Sequence, residues 1–205
     1  MSELKEVFTN IYNQNLWMSR ESKSGAGSEL LNTQTIRTEI PKLIEKFNIK
    51  KVLDIPCGDY NWMSNVDLHG VDYIGADIVE GLIEENKKKF EGTKFEVLDI
   101  TKDKLPKVDL IFARDVLGHF DYFNIHKALS NMVDSGSKYL LTTSFTKWHF
   151  NTNIDNGGWR PINLMIEPFK LRPLYLINEN CTEGGKSYND KCLILFDLED
   201  LYCGN

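Results

Sequence analysis

The sequence predicts a doubly wound α/β fold: a mostly parallel, seven-stranded sheet with helices on both faces, ending in an antiparallel hairpin. Two observations predict it. From Lys51 onward, short apolar runs recur at residues 52–55, 71–76, 95–98, 110–113 and 139–143. Amphipathic or polar stretches long enough for crossovers separate them, and this alternation marks parallel strands covered on both sides. Near the end, residues 174–177 and 192–196 flank a polar loop containing Gly184 and Gly185, the pattern of two antiparallel strands closing one edge.

The helices follow from a different period. Leu4, Val7, Phe8, Ile11, Tyr12 and Leu16 form one stripe at helical spacing between residues 4 and 17. The polar stretch SRESKSGAGS at 19–28 then breaks that pattern. Ile36, Ile40, Leu43, Ile44 and Phe47 predict a second helix over 33–47, with Pro41 marking its start or a kink. Residues 81–90 and 124–133 are the clearest helices between strands. No repeat, low-complexity tract or Pro-rich linker interrupts the chain. The expected organisation is therefore one domain over 1–205, with a helical extension at 1–50 and the α/β core at 51–205. Trp17 and the SGAGS loop are expected either to fold over a ligand as a lid or to form a plain connector.

Composition narrows the function. The chain has 205 residues, a formal charge of -6 and a sequence pI of about 5.3, so its surface repels phosphate backbones and no nucleic-acid partner is expected. No apolar run approaches the ~20 residues that a membrane span requires. The polar start, MSELKEVFTNIYNQ, is unlike a signal peptide. Cys57, Cys181, Cys192 and Cys203 are scattered without a C-x-x-C pair, which suits reduced thiols in a cytoplasm and gives no zinc-ligand spacing. No metal site is expected, and the oligomeric state is open.

The stretch VLDIPCGD at 52–59 ends an apolar strand in Asp54 and a tight turn at Gly58. In an open parallel sheet, ligands bind beyond the carboxyl ends of strands where the strand order reverses. Gly58 lets backbone approach a ligand there, and Asp54 either orients the turn or receives an amine. About 20 residues on, YIGADI ends a second strand in Asp77, where a carboxylate accepts from both ribose hydroxyls in nucleotide-binding α/β folds. FEVLDI ends a third strand in Asp99, placed for an adenine amino group. One such Asp is more often a helix cap than a ligand. Three at successive strand ends, in register with a glycine turn, point to an adenosine site.

The series VLDIPCGD, YIGADI, FEVLDI and DLIFARDVLGHF resembles the successive motifs of class I S-adenosylmethionine-dependent methyltransferases. The resemblance runs from about Lys51 to Phe196, and the terminal hairpin is similar to that family's sixth and seventh strands. It implies S-adenosylmethionine as methyl donor. It also implies that Asp54 and Gly58 approach the methionine moiety, that Asp77 with Ile78 holds the ribose, and that Asp99 and Ile100 frame the adenine. Arg114 and Asp115 would line the methyl-donor pocket. Two departures stand out, Pro56 and Tyr60 where the family's turn usually has glycine. Pro56 removes a backbone donor and Tyr60 adds bulk where the donor passes; in such a turn Asp59 and Trp62 take part in the pocket.

A sulfonium methyl is already activated, so the acceptor side needs positioning, exclusion of water and, for a hydroxyl, a base. His119 is one candidate base and His149 the other, while His119 also suits packing or capping before the next helix. The stretch NTNIDNGGWRPIN at 151–163, with Trp148 before it, is rich in amides and aromatic rings. Asn151 and Trp159 suit a polyhydroxylated ligand, and Arg160 suits a phosphate or carboxylate. The alternative is a structural loop with Trp159 in the core. The expected function is methyl transfer, O-directed, to a small-molecule or glycan-precursor acceptor. A nicotinamide-dependent oxidoreductase is the rival, although the chain lacks the G-x-G-x-x-G run that pyrophosphate needs. A non-catalytic nucleotide-binding module is the third reading.

Overall fold

The computed structural model describes residues 3–202, the side chain of Tyr202 excepted; Cys203 lies outside the described residues. Seven strands form one sheet: β1 (Lys51–Asp54), β2 (Asp72–Asp77), β3 (Lys94–Val97), β4 (Leu110–Ala113), β5 (Tyr139–Phe145), β6 (Pro173–Asn178) and β7 (Lys191–Asp197). Their order is β3-β2-β1-β4-β5-β7-β6. The first five run parallel. β7 inserts antiparallel between β5 and β6, in register from Tyr139 opposite Asp197 to Phe145 opposite Lys191. The hairpin thus docks through its second strand, leaving β6 at the edge.

Alternation along each strand divides the core in two. Leu53, Ile111, Leu140, Ile194 and Phe196 face one side, where α4 (Tyr122–Asp134) contributes Ile125, Ala128, Leu129 and Met132. Val52, Leu110, Phe112, Leu141, Leu193 and Leu195 face the other, where α2 (Gln34–Lys46) brings Ile36, Ile40 and Leu43. Every residue of β4 and β5 is buried, as a central strand covered on both faces requires. The α2 helix runs through Pro41 and carries some of the most buried side chains in the protein, with Ile36 fully enclosed. It is part of the core layer, whereas the sequence suggested an extension. α3 (Glu80–Lys89) packs Ile83 against Cys57 and Phe95, and a short α5 (Leu198–Tyr202) follows β7.

Helix α1 (Glu3–Gln14) reaches across to the long segment after β5. Gly157 donates its N–H to the His119 carbonyl at 2.9 Å and has φ of 87°. A Cβ there would overlap Val7 of α1. Gly157→Ala is therefore expected to lower stability by about 1–3 kcal/mol, combining left-handed strain with overpacking. That corresponds to a melting-temperature drop of roughly 2–12 °C for a chain of this size. An unchanged melting curve would mean that α1 does not dock there.

Candidate active site

The carboxyl ends of the parallel strands open into one cavity of about 700 Å³. Its floor is the switch point between β1 and β4, where the strand order reverses. Asp54, Asp77 and Asp99 all line it, together with Pro56, Gly58, Asp59, Trp62, Ile78, Ile100, Arg114 and Asp115. The three acids also serve the turns that follow them. Asp77 accepts from Val79 N–H at 2.9 Å and from Gly58 N–H at 3.3 Å. Asp99 accepts from Thr101 N–H at 3.0 Å and its hydroxyl at 2.6 Å. Capping and facing the cavity are compatible, because a carboxylate has more lone pairs than a cap consumes.

Burial strips water from these acids. It pushes the Asp54 carboxyl up to about 8, against a hydrogen bond from the Tyr73 hydroxyl at 2.5 Å that lowers it. It pushes Asp77 up to about 6, against the turn amides. Acids held this way gain when a ligand offers hydroxyl or ammonium donors. Gly58 has φ of 54°, and a Cβ there would strike Ser24. The buried acids, the bare backbone at Gly58 and a volume within the range of small-molecule sites fit a nucleoside carrying a methionine moiety.

Tyr60 departs from the expectation that its bulk crowds this passage. With φ of 56° it turns its ring away from the cavity, against Tyr73, Phe90 and Phe95 at centroid distances of 5.3, 4.9 and 5.3 Å. The amides beyond Pro56 are spent on the neighbouring strand β2: Cys57 N–H donates to Ala76 O at 2.7 Å and Gly58 N–H to the Asp77 carboxylate at 3.3 Å.

The segment after α1 lies over the cavity, which Trp17, Lys23, Ser24 and the 3₁₀ turn Ala26–Ser28 help to line. Asp59 fastens it. Its carboxylate accepts from Ser22 Oγ at 2.9 Å, Lys23 N–H at 2.7 Å and Ser24 Oγ at 3.4 Å, while its own N–H donates to Ser24 Oγ at 3.0 Å. The sequence named Asp59 and the serine-rich loop separately; nothing local signals that they pair.

At the other end of the cavity, His119 Nδ1 lies 2.7 Å from Gly158 O. A carbonyl only accepts, so Nδ1 carries the proton and Nε2 the lone pair. Burial lowers the His119 pKa, keeping the ring neutral near pH 7. Trp17 packs on that ring at 5.4 Å. Beside it stand Phe145, Trp159 and Tyr188, with Trp159 and Tyr188 at 5.0 Å and 77°.

Beneath these rings lies a buried set of charges. Arg114 contacts Glu179 at 2.7 Å and Asp115 at 3.2 Å; Lys191 contacts Asp115 at 2.7 Å and reaches Glu183 at 3.7 Å. Asp115 has φ of 55°, and Thr143 Oγ1 accepts from its N–H at 2.9 Å. Burial raises its pKa, but Arg114 and Lys191 outweigh that and hold it well below the usual carboxylate range. The sequence singled out Arg114 and Asp115 but missed Lys191, Glu183 and Tyr188. The one local signal was a lysine opening an otherwise apolar strand.

Four expected acceptor-side residues lie outside the cavity lining. Arg160 is buried, and its guanidinium donates to the carbonyls of Thr152, Leu117 and Phe120 at 3.1, 3.0 and 2.8 Å, so it has no free fork for an anion. Asn151 spends its amide on Asn163 O and Glu167 O. Trp148 packs on Phe150 at 6.0 Å, and His149 is exposed. Asn153 and Asn156 accept from Tyr122 and Asp121 N–H at the start of α4, at 2.7 and 3.0 Å. From this amide-rich stretch, Gly157, Gly158 and Trp159 line the cavity.

This arrangement, an adenosine-type cleft at the switch point of a seven-stranded sheet with an inserted antiparallel strand, is that of a class I methyltransferase. A family model described as a methyltransferase domain matches residues 30–180, and the chain belongs to that S-adenosylmethionine-dependent family. No curated protein matches the chain. Among solved structures, magnesium protoporphyrin IX methyltransferase of Synechocystis PCC 6803 with bound SAM is similar at 15% identity and TM-score 0.62, covering 96% of this chain and 98% of that one. N-methyltransferase NodS of Bradyrhizobium japonicum WM9 with SAH is similar at 16% identity and TM-score 0.62, over 92% and 98%. A methyltransferase from Clostridium acetobutylicum ATCC 824 gives 14%, 0.60, 94% and 98%. At such identities these likenesses show the fold. Family membership sets the nicotinamide reading aside. No described helix is long and apolar enough to cross a membrane.

Proposed function

We propose that the chain methylates a hydroxyl of a small-molecule acceptor held at the aromatic end of the cavity, with His119 as general base. What supports this is one observation: three buried strand-end acids and a neutral imidazole with its lone pair on Nε2 share a single cleft. Asp54 and Gly58 would hold the methionine moiety, Asp77 and Ile78 the ribose, and Asp99 and Ile100 the adenine; Pro56, Asp59 and Trp62 shape the turn around them. When bound, S-adenosylmethionine supplies a methyl group already activated on a sulfonium. The lid segment and the rings of Trp17, Phe145 and Trp159 exclude water from the acceptor. His119 Nε2 accepts the acceptor's proton, and Gly158 O steadies the imidazolium that forms. Trp159 supports a carbohydrate-type acceptor as a stacking platform; the asparagines, already engaged in hydrogen bonds to the backbone, do not. The buried thiols Cys57, Cys181 and Cys192 support a reducing, cytoplasmic setting.

The test has two parts. Calorimetry should detect S-adenosylhomocysteine binding, and its absence would discard the reading. Once an acceptor is found in a screen of hydroxylated metabolites and nucleotide-linked sugars, His119→Gln should lower kcat about 10²–10⁴-fold with little change in donor affinity. Unchanged turnover would remove His119 from the role of base.

A further inference from the structure

The acceptor end of the cavity is not electrically even. Its charge set holds two cations, Arg114 and Lys191, against three carboxylates, Asp115, Glu179 and Glu183. The two signs are also exposed unequally. The side chains of Arg114 and Lys191 are each 5% exposed, whereas Asp115 is 30% and Glu183 33% exposed. Lys191 is enclosed by carboxylates, with Asp115 at 2.7 Å, Glu183 at 3.7 Å and Glu179 at 3.8 Å. Glu179, almost wholly buried, has no hydrogen-bond partner for Oε1 among the described residues.

Both exposed acids lie under the lid. A Cβ on Gly27 would sit 3.4 Å from Asp115 Oδ2, 3.5 Å from Glu183 Oε2 and 3.7 Å from Lys191 Nζ, so both carboxylates, with the ammonium they share, meet at one point that glycine leaves open. Around it stand the faces and edges of Trp17, Phe145, Trp159 and Tyr188, all lining the same cavity. Trp159 is 46% exposed, a large ring directed at the opening rather than spent in the core. Aromatic walls over paired carboxylates favour a cation twice, through ring quadrupoles and through charge. They penalise an anion, which would meet a cluster whose three carboxylates outnumber its two cations, in a partly dry site.

The geometry points to an acceptor that carries a positive charge: a small hydroxyl compound bearing an ammonium group, seated by Glu183 and Asp115 against Trp159 and Tyr188, as an amino sugar or aromatic amino alcohol would be. Glu183 is the specificity-determining residue. Among the described residues its carboxylate meets Lys191 at 3.7 Å and the Cys181 thiol at 3.5 Å, both long contacts that leave it open to a partner. The inference rests on the methyltransferase reading above and adds the charge of the acceptor to it.

The test uses the full chain saturated with S-adenosylhomocysteine and three probes of one size: benzylamine, benzyl alcohol and benzoate, titrated calorimetrically at pH 7. Benzylamine should bind about tenfold tighter than either of the others. Glu183→Gln should bring benzylamine and benzyl alcohol to within about threefold of each other. The affinity for S-adenosylhomocysteine, measured on the same samples, should stay at the wild-type value and certify the fold. Equal binding of the three probes, a preference for benzoate, or no response to benzylamine would overturn the inference while leaving the donor site intact. A Glu183→Gln variant that lost S-adenosylhomocysteine affinity in step would place the carboxylate at the donor and overturn it equally. Failure of the wild-type chain to bind S-adenosylhomocysteine would instead strike the methyltransferase reading, and this inference would fall with it.

Discussion

Asp77→Ala is expected to weaken S-adenosylhomocysteine binding by at least 10²-fold. The ionised carboxylate would lose hydrogen bonds to both ribose hydroxyls, each worth about 1.5–3 kcal/mol when one partner is charged. The same change frees the Gly58 and Val79 amides that Asp77 now satisfies, so the turn cradling the donor loosens as well. Asp77→Asn, which keeps the shape and one acceptor oxygen, should fall between the two. The pH dependence carries a matching sign. Burial places the Asp77 pKa at about 6, above its ordinary value of 3.8, so the acceptor form is half populated at that pH, predominates above it and is lost below it. Donor affinity should therefore drop as pH falls through 6 in the wild type, and that step should be absent from Asp77→Ala. Binding by Asp77→Ala at wild-type strength would remove Asp77 from the ribose site.

Arg114→Met should have the largest effect on stability. Removing the guanidinium leaves Glu179 buried with Lys191 at 3.8 Å as its nearest opposite charge, and takes one of two cations from Asp115. Breaking a buried pair on one side costs about 3–5 kcal/mol. For a chain of this length that is a melting-temperature drop of roughly 6–20 °C, readable by calorimetry without any ligand. A drop of only a degree or two would mean that the cluster is wetter than its burial indicates. The removed side chain also lies over Trp62 at 5.4 Å, and the methionine retains part of that packing.

The parts of the fold legible in the sequence were those with local causes. Strands β1 to β5 announce themselves because buried parallel strands read as short apolar runs, and Asp54, Asp77 and Asp99 because each closes such a run. Gly58 was legible for the same reason. What escaped depends on contacts between distant residues. Lys191 meets Asp115 across 76 positions, and Arg114 meets Glu179 across 65. Arg160 looked like an anion grip because an arginine between Trp and Pro in a polar loop gives no hint that it will be folded inward onto three carbonyls. Asn151 misled in the same way, since an amide spent on neighbouring carbonyls and one that greets a ligand are the same letter. Tyr60 shows the converse: a residue that seemed intrusive by size is harmless by direction, because its left-handed backbone swings the ring into an aromatic cluster.

The antiparallel insertion of β7 has a consequence for how this enzyme diversifies. Asp54, Asp77 and Asp99 lie at or just beyond the ends of the parallel strands β1 to β3, while Lys191, Glu183 and Tyr188 lie on or just before β7, and Trp159 on the long excursion that follows β5. The two halves share one cleft but are mounted on different stretches of polypeptide. Substitutions at the cavity-lining positions Trp159, Glu183 and Tyr188 are therefore expected to alter the acceptor preference while the affinity for S-adenosylhomocysteine, measured calorimetrically, stays as it was.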